Sequence, residues 1–400
     1  MDEKINKDDI NIGTSGVLKK VKDAITTLEE KTNKVFFFCM DSKGTPMASV
    51  ATIYEHAKIL KEAGYNPVIL HEKNDYTKPD SWLGEGFEDL PHASSEDNSA
   101  SIGPQDFIIL PEVYGGILEQ LKEANCENII FVQAYDYILE LLRPGDGWGQ
   151  YGVRKAITTT ESQKKYVNSL FPTVETTKIS LGLPEYFNKR KEPQSPFIAI
   201  HCRDARDTSN FIKSFYLKHP FLKWITFRDL RGMPKREFAQ ALKECALSVW
   251  IDPIAGFGTF PLESMKCGVP VVGLVPTLTP EWLTEDNGIW TNNKLTMVDT
   301  AAGVMKNWLE DSVPEKLYEK MDETVTKYTL ENETTDVVNF YNDLFKERID
   351  ELTEVLTKEA KRREEWISNP EKSKSKDSLP PEQSVVGVNP FGGAHGRITE

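Results

Sequence analysis

Short apolar runs and amphipathic stretches alternate along the chain from about residue 35 onward. An apolar run bounded by polar residues predicts a buried strand, and apolar residues at helical spacing predict a helix. In the first half of the chain, strands are predicted at 35–39, 67–70, 107–110, 129–132, 156–160 and 178–181. Helices are predicted at 116–124, at 161–171 and through Val50, Ile53, Tyr54, Ala57 and Leu60. This alternation is typical of a parallel sheet covered by helices.

A second alternating set follows a stretch at 188–195 whose Lys, Arg, Glu, Pro, Gln and Ser content is typical of an interdomain linker. Its strands are predicted at 197–200, 224–227, 248–251 and 269–274, and its helices at 209–218 and 235–246. The two halves predict an α/β fold of two Rossmann-like parallel-sheet domains with a cleft between them. We place these domains at 34–188 and 189–327.

The two ends of the chain lie outside this alternation. A polar N-terminal extension is expected at 1–33, with one helix near 17–28. Crossover and extended C-terminal helices are expected at 328–368, and a disordered tail at 369–400. The last helix carries a possible apolar stripe, which favours docking on the body of the protein and leaves self-association as the alternative. A polar segment at 75–101 predicts a long loop.

Composition narrows the class of protein. The 400 residues are 39% hydrophobic and 28% charged, with a net charge of −14, as expected for a globular protein with substantial cores. The acidity argues against broad binding to nucleic acid or anionic membranes, but it leaves room for a local basic patch. No apolar run approaches the roughly 18 residues of a membrane span, and the first residues lack the apolar core of a signal peptide. The expected location is therefore the cytoplasm, with the five separated cysteines as buried thiols.

The stretch at 256–272 carries the most specific chemistry. It predicts a glycine-bearing loop, a short helix that begins near Thr259 with Pro261 in its first turn, a stop at Gly268 and a buried strand. The N-terminus of a helix that follows glycines offers unpaired N–H groups and a positive dipole end to an anion, typically a phosphate. Glu263 lies one turn inside, where its carboxylate can reach a sugar hydroxyl. This combination suits a nucleoside-diphosphate ligand.

The same stretch resembles the donor-site signature of retaining glycosyltransferase family 4, which is written E-G-F-G-x-x-x-L-E and continues into Cys-Gly and Pro-Val-Val. The matching residues are Gly256, Phe257, Gly258, Leu262, Glu263, Cys267, Gly268, Val269, Pro270, Val271 and Val272. A weaker resemblance extends from about 35 to 345, with similar segments at 45–70, 158–187 and 231–237. The resemblance implies a GT-B fold in which the first domain holds the acceptor and the second holds a nucleotide-sugar donor, with no bound metal.

The resemblance also implies a set of donor-site residues. Arg203 aligns with the phosphate-binding arginine of the family. Ser209 and Asn210 fall where its lysine partner is expected, and Arg206 or Lys213 could substitute for that lysine. Glu263 is expected to hold the ribose hydroxyls. Arg203, with its expected contact to the phosphates, and Glu263 are the two residues to which we assign catalysis. Gly44 lies where the first-domain loop approaches the diphosphate. The remaining donor-binding candidates are Gly256, Phe257, Gly258, Thr259, Phe260 and Leu262.

The chain departs from the family pattern at two places. Ala255 stands where the first signature glutamate contacts the transferred sugar, which implies a different donor, a carboxylate from elsewhere such as Asp252, or no activity. A histidine that contacts the sugar in many members is absent after the strand at 129–132. In its place Gln133, Tyr135 and Asp136 are candidates for contact with the acceptor or the sugar.

These observations predict a metal-independent glycosyltransferase that retains anomeric configuration and uses a nucleotide sugar as substrate, with no other cofactor. The acceptor is open among glycan, protein, lipid and small molecule. Two alternatives remain: a non-catalytic GT-B protein that binds nucleotide sugar or glycan or serves in an assembly, and a GT-B nucleotide-sugar epimerase. P-loop, metalloprotease and hydrolase motifs are absent from the sequence.

Overall fold

A computed structural model describes residues 16–368 apart from 97–99, 124–125, 141 and 192–193. Its first sheet has seven strands in the order β3-β2-β1-β4-β5-β6-β7, and every neighbouring pair is parallel. The elements of this half are α1 (Gly16–Glu29), β1 (Lys34–Phe38), α2 (Ala48–Glu62), β2 (Asn66–His71), α3 (Asp80–Leu83), β3 (His92–Ser94), β4 (Phe107–Pro111), α4 (Leu118–Glu123), β5 (Glu127–Val132), β6 (Lys155–Thr158), α5 (Glu161–Leu170) and β7 (Glu175–Lys178). The central strands are buried on both faces, which explains their uninterrupted apolar runs.

The second sheet has five parallel strands in the order β12-β11-β10-β8-β9. Its elements are β8 (Ser195–Cys202), α6 (Ala205–Lys218), β9 (Thr226–Asp229), α7 (Lys235–Lys243), β10 (Cys245–Ile251), α8 (Thr259–Lys266), β11 (Val271–Leu274), β12 (Ile289–Thr291) and α9 (Lys294–Leu309). Asp204 caps α6 by accepting a hydrogen bond from the Arg206 amide at 2.8 Å. The predicted class, two parallel α/β sheets with a helical C-terminal segment, is confirmed.

The last two helices of the described residues are α10 (Glu315–Val325) and α11 (Leu330–Ser368). The long α11 helix contacts α1 and α2, so it lies on the first half of the molecule. Leu352 and Leu356 from its apolar stripe are buried in the same cluster as Leu18, Val21 and Leu28. The stripe is therefore covered by the protein's own α1, and the self-association interpretation has no support. The predicted tail at 369–400 and the first part of the N-terminal extension lie outside the described residues.

The structure corrects one assignment and several boundaries. The segment at 75–101 contains α3 and the edge strand β3, because the apolar residues within it, Trp82, Leu83, Phe87 and Leu90, are buried. The strand predicted at 178–181 is β7 and ends at Lys178. The helix predicted at 235–246 ends at Lys243, since Cys245 already pairs in β10, and the strand predicted at 224–227 begins at Thr226.

The sequence analysis found no apolar run long enough to span a membrane, and the helices of the structure can be compared with that expectation. Among residues 16–368 as described, no helix combines the length and the apolar character needed to cross a lipid bilayer.

Candidate functional site

The loop before α8 is held by aromatic packing. Gly258 has a left-handed backbone with φ of 76°, and a Cβ atom there would lie 3.0–3.1 Å from the rings of Trp250 and Trp282. The Trp282 indole N–H donates to the Phe257 carbonyl at 2.7 Å. Phe257 and Phe260 are both buried in the core of the second half. Their side chains therefore fix the loop, and only their backbone atoms remain to bind a ligand.

Glu263 lies at a cavity between the two halves of the molecule. Its side chain is only 5% exposed, and its Oε1 atom is 3.2 Å from the Lys235 ammonium nitrogen on α7. The cavity has a volume of about 210 Å³. It is lined by α2 of the first half, by α7 and α8 of the second, and by the chain that joins them, including Thr52, Glu55, Leu183, Tyr186, Lys235, Arg236, Thr259 and Glu263. A buried carboxylate with one cationic partner thus faces a space shared by both halves.

His201 lies under the start of α8. Its ring stacks on Phe260 with the centroids 5.1 Å apart and the planes 22° from parallel. Burial, with Arg231 nearby, lowers the pKa of His201 to about 4, so the ring is neutral at pH 7. The structure gives it a packing role beneath the helix N-terminus.

Arg203 bridges the two halves outside that cavity. Its Nη2 atom is 3.2 Å from Asp136 Oδ2 and 3.4 Å from the Tyr137 hydroxyl, both of which follow β5. Its Nη1 atom is 3.8 Å from Asp252 Oδ1. Burial raises the pKa of Asp252, and Arg203 opposes that shift. The predicted phosphate-binding arginine is therefore paired with two carboxylates in this conformation.

Three of the other predicted donor-site residues, Arg206, Lys213 and Gly44, do not line the cavity. Arg206 is 87% exposed and is paired with Asp204 at 2.9 Å. Lys213 lies exposed on α6, and Gly44 lies in the loop after β1 with φ of 74°, where a Cβ atom would meet nothing within 4 Å. None of the three is among the residues that line the cavity around Glu263. Tyr135, the acceptor candidate, packs edge-to-face on Tyr166 of α5 at 5.7 Å.

Gly256 is a point of contact between the two halves. A Cβ atom at this position would overlap the carbonyl oxygen of Gln133 and would lie 2.8 Å from the Gln163 side-chain amide. That amide donates to the Gln133 carbonyl at 3.1 Å, and the Gln133 side chain donates to the Ser49 carbonyl at 3.3 Å. The requirement for glycine here comes from the close approach of a neighbouring backbone.

Glu112, which the sequence analysis did not single out, positions the Gln133 loop. It follows β4 directly and is buried, and its two oxygens accept from the Gln133 and Ala134 amides at 3.0 and 2.7 Å. Burial raises the pKa of Glu112 from 4.5 to about 7, although these amides oppose the shift. The sequence did carry one indication of this role, because a glutamate directly follows a fully apolar strand.

Comparison with solved structures identifies the fold. A sucrose-phosphate synthase from Thermosynechococcus elongatus superposes with a TM-score of 0.55 at 12% identity, over 78% of this chain and 99% of the other. HepE from Anabaena in complex with UDP gives 0.51 at 12% identity, over 78% and 100%. A glycosyltransferase from Rickettsia africae gives 0.50 at 14% identity, over 78% and 99%. No protein-family model and no curated protein matches the sequence. At such identities the likeness defines the architecture alone, and this chain has the GT-B fold.

Proposed function

We propose that the protein transfers a sugar from a nucleoside-diphosphate sugar to an acceptor. The observation that carries the proposal is Glu263, a nearly buried carboxylate at a cavity between the two sheets, beside the first turn of α8 and the ammonium of Lys235. An Asp or Glu that holds ribose beside helix amides that hold phosphate is a recurrent arrangement for nucleotides. A protein of similar fold, HepE, is described in complex with UDP.

Each residue then has a specific role in this proposal. Glu263 accepts hydrogen bonds from the ribose hydroxyls, and Lys235 is its ion-pair partner at 3.2 Å. The amides of Thr259 and Phe260 in the first turn of α8 and the guanidinium of Arg203 stabilise the departing diphosphate, which takes up negative charge as the glycosidic bond breaks. Because N–H groups and basic side chains supply this stabilisation, we propose that the reaction uses no bound metal. Retention of configuration follows from the family resemblance and belongs to the same proposal.

The described conformation is closed. A cavity of about 210 Å³ is below the roughly 300–1,000 Å³ of typical ligand pockets. Gln133 also lies against Gly256, and Asp136 holds Arg203. We propose that the donor binds after the two halves separate, so that Arg203 exchanges its contact with Asp136 for one with the diphosphate. Hinged closure of two domains around a ligand is a common motion.

The test is a panel of UDP-, GDP-, dTDP- and ADP-sugars incubated with the protein, with and without acceptor extracts. Release of free nucleotide is expected with at least one donor, and Arg203→Ala is expected to slow it by about 100-fold or more, the size of effect seen when a charge-stabilising donor is lost. Release at the same rate from Arg203→Ala would remove this residue from the mechanism. A change in the sugar without nucleotide release would favour an epimerase.

A non-catalytic GT-B protein is the second candidate. Ala255 favours it, because this residue is buried and presents no carboxylate to a transferred sugar. Asp252 lies three residues earlier and is engaged with Arg203. Nucleotide-sugar binding without turnover in the same panel would support this candidate. We keep the cytoplasm as the proposed location and leave the acceptor open.

A further inference from the structure

Three large apolar side chains lie exposed close together in sequence at the end of α6. Leu217 is 83% exposed, Phe221 is 58% exposed and Trp224 is 54% exposed. The segment lies on the second half of the molecule and does not contribute to the cavity around Glu263. Scattered apolar residues are ordinary on protein surfaces, but three large apolar side chains exposed within residues 217–224, two of them aromatic, favour an interaction site.

The outward position of these residues is fixed by neighbours that point inward. Phe211 and Phe215 are buried on the inner face of α6, and Leu222 and Ile225 are buried on either side of Trp224. The Tyr216 hydroxyl donates to the Ile225 carbonyl at 2.6 Å, which ties the turn after α6 to the helix. The exposed side chains are therefore held in place by a segment whose other side chains are packed in the core.

Positive charge surrounds the cluster. Lys213 lies one helical turn before Leu217, and Lys223 lies between Phe221 and Trp224; both are exposed. From α9, the ammonium of Lys306 lies 4.8 Å from the centre of the Phe221 ring. Residues 208–228 contain no Asp or Glu, although the chain has 62 such residues among 400. Asp299 on α9 faces this surface and is paired with Lys218 at 2.9 Å and His219 at 3.0 Å.

We propose that this basic apolar patch, formed by Leu217, Phe221 and Trp224 with Lys213, Lys223 and Lys306, docks the protein on the surface of an anionic lipid bilayer. Aromatic and leucine side chains enter the boundary between head groups and acyl chains, while the long lysine side chains keep their ammonium groups among lipid phosphates. Each lysine near an anionic surface adds attraction. Because salt screens charges beyond about 10 Å, the acidity of the rest of the chain does not cancel this local attraction.

A second copy of the chain is a poorer occupant. A two-fold interface would place the patch against itself and bring its lysines together. Three partly exposed side chains offer about 400 Å² at most, given roughly 150–250 Å² for a whole aromatic residue and somewhat less for leucine. A stable interface needs about 800 Å² from each partner. A lipid bilayer can bind a small apolar surface that is surrounded by cations, because it does not need the contact area that a stable protein interface needs.

The position of the patch leaves the cleft accessible. Helix α6 begins at the edge of the sheet where β8 ends and Arg203 lies, and it runs back to the opposite edge. Its 14 residues span about 21 Å. Leu217, Phe221 and Trp224 therefore lie at or beyond the end of α6 that is about 20 Å from its start near Arg203. Docking would concentrate the protein at a membrane without blocking its cleft, whatever reaction the cleft performs.

The experiment is co-sedimentation of the full chain with sucrose-loaded vesicles of phosphatidylcholine alone or with about one third phosphatidylglycerol. Binding is expected to the phosphatidylglycerol vesicles, with a loss of about tenfold when salt rises from about 0.1 to 0.5 M. The double variants Leu217→Ser/Trp224→Ser and Lys213→Glu/Lys223→Glu are each expected to lower binding by about tenfold or more. Leu295→Ser is the matched control, because Leu295 is 78% exposed on α9 and lies outside the patch.

Three results would overturn the proposal. One is the absence of wild-type binding to phosphatidylglycerol vesicles. Another is equal loss in the Leu295→Ser control, which would show that any exposed leucine suffices. The third is self-association in solution that Leu217→Ser/Trp224→Ser abolishes, which would make the patch an interface between copies. Folding of every variant is checked by its thermal unfolding midpoint, and donor turnover is measured separately, so failure of the proposed transferase activity does not affect this result.

Discussion

At the scale of single residues, the structure explains why position 256 of the signature loop requires glycine. The sequence alone did not show this reason. The sequence analysis assigned Gly256 to the donor site through the family resemblance. In the structure it lies against the Gln133 carbonyl from the other half of the molecule. A backbone oxygen cannot swing aside as a flexible side chain does, so any side chain at 256 must separate the two loops.

Gly256→Ala is therefore expected to lower the free energy of unfolding by about 1–3 kcal/mol, the usual cost of overpacking. Hydrogen exchange at the amides of Gln133 and Ala134 should increase, because the loop they occupy loses its neighbour. Gly303→Ala is the matched control: Gly303 lies inside α9 with nothing within 4 Å, and alanine there should stabilise the protein by up to about 1 kcal/mol. Equal effects in both variants would contradict the interdomain contact.

Glu112 gives a prediction of pH dependence at the same scale. Its pKa is raised from 4.5 to about 7 in the folded protein, so the native state binds more protons than the unfolded state between these values. The contribution of Glu112 to stability is therefore fully present below about pH 4.5 and decreases as pH rises through 7. Carboxylates whose pKa is lowered on folding, such as Asp229, act in the opposite direction.

The measurement compares wild type with Glu112→Gln in urea unfolding at pH 5 and pH 8. Glutamine cannot ionise, so the stability of the wild type relative to the variant is expected to fall between the two pH values. Because the glutamine side chain offers one acceptor oxygen to two amides, the Gln133 loop should also exchange hydrogen faster in the variant. A relative stability that rises with pH would show that the Glu112 pKa is not raised.

At the scale of elements, the strands and helices with strong hydrophobic periodicity were predictable from the sequence. The edge strand β3 and the exact ends of several elements were not. Strand β10 and helix α8 follow from a continuous apolar run and from glycine and proline positions. Strand β3 was missed because an edge strand of three residues, HAS, has almost no apolar signal of its own. The helix predicted through Ala246 continued too far, because Cys245 and Ala246 suit either the helix face or the buried strand that they enter.

Helix α11 is expected to stabilise the first half of the molecule through its C-terminal stripe. Leu352 is fully buried against the cluster that includes Val21 and Leu28 of α1. Leu352→Ala should lower the free energy of unfolding by about 2–5 kcal/mol, and Glu354→Ala, two residues along on the exposed face, should change it by no more than about 0.5 kcal/mol. Urea unfolding of both variants measures this; a small loss in Leu352→Ala would mean that α11 and α1 do not pack in solution.

At the scale of the whole molecule, the sequence predicted two domains and a cleft but not how the cleft closes. The closing contacts join groups far apart in the chain: Lys178 with Glu281 at 3.0 Å, Arg203 with Asp136 at 3.2 Å, and the Ser162 hydroxyl with the Thr279 carbonyl. A single sequence does not indicate such pairs, because each charged side chain could equally well be exposed to solvent without a partner. The placement of Glu263 was predictable because one motif fixes both its helix and its turn.

The central claim is that Glu263 and the first turn of α8 bind a nucleoside diphosphate in the cleft. Its most direct test is calorimetric titration of UDP, GDP, dTDP and ADP into wild type, Glu263→Gln and Glu237→Gln, the last an exposed glutamate on α7. We predict that the wild type binds at least one of these nucleotides and that Glu263→Gln weakens its Kd by about tenfold or more, since a hydrogen bond to a charged group contributes roughly 1.5–3 kcal/mol. Glu237→Gln should bind as the wild type does. Binding by Glu263→Gln with unchanged affinity, or no binding of any of the four nucleotides to the wild type, would contradict the account.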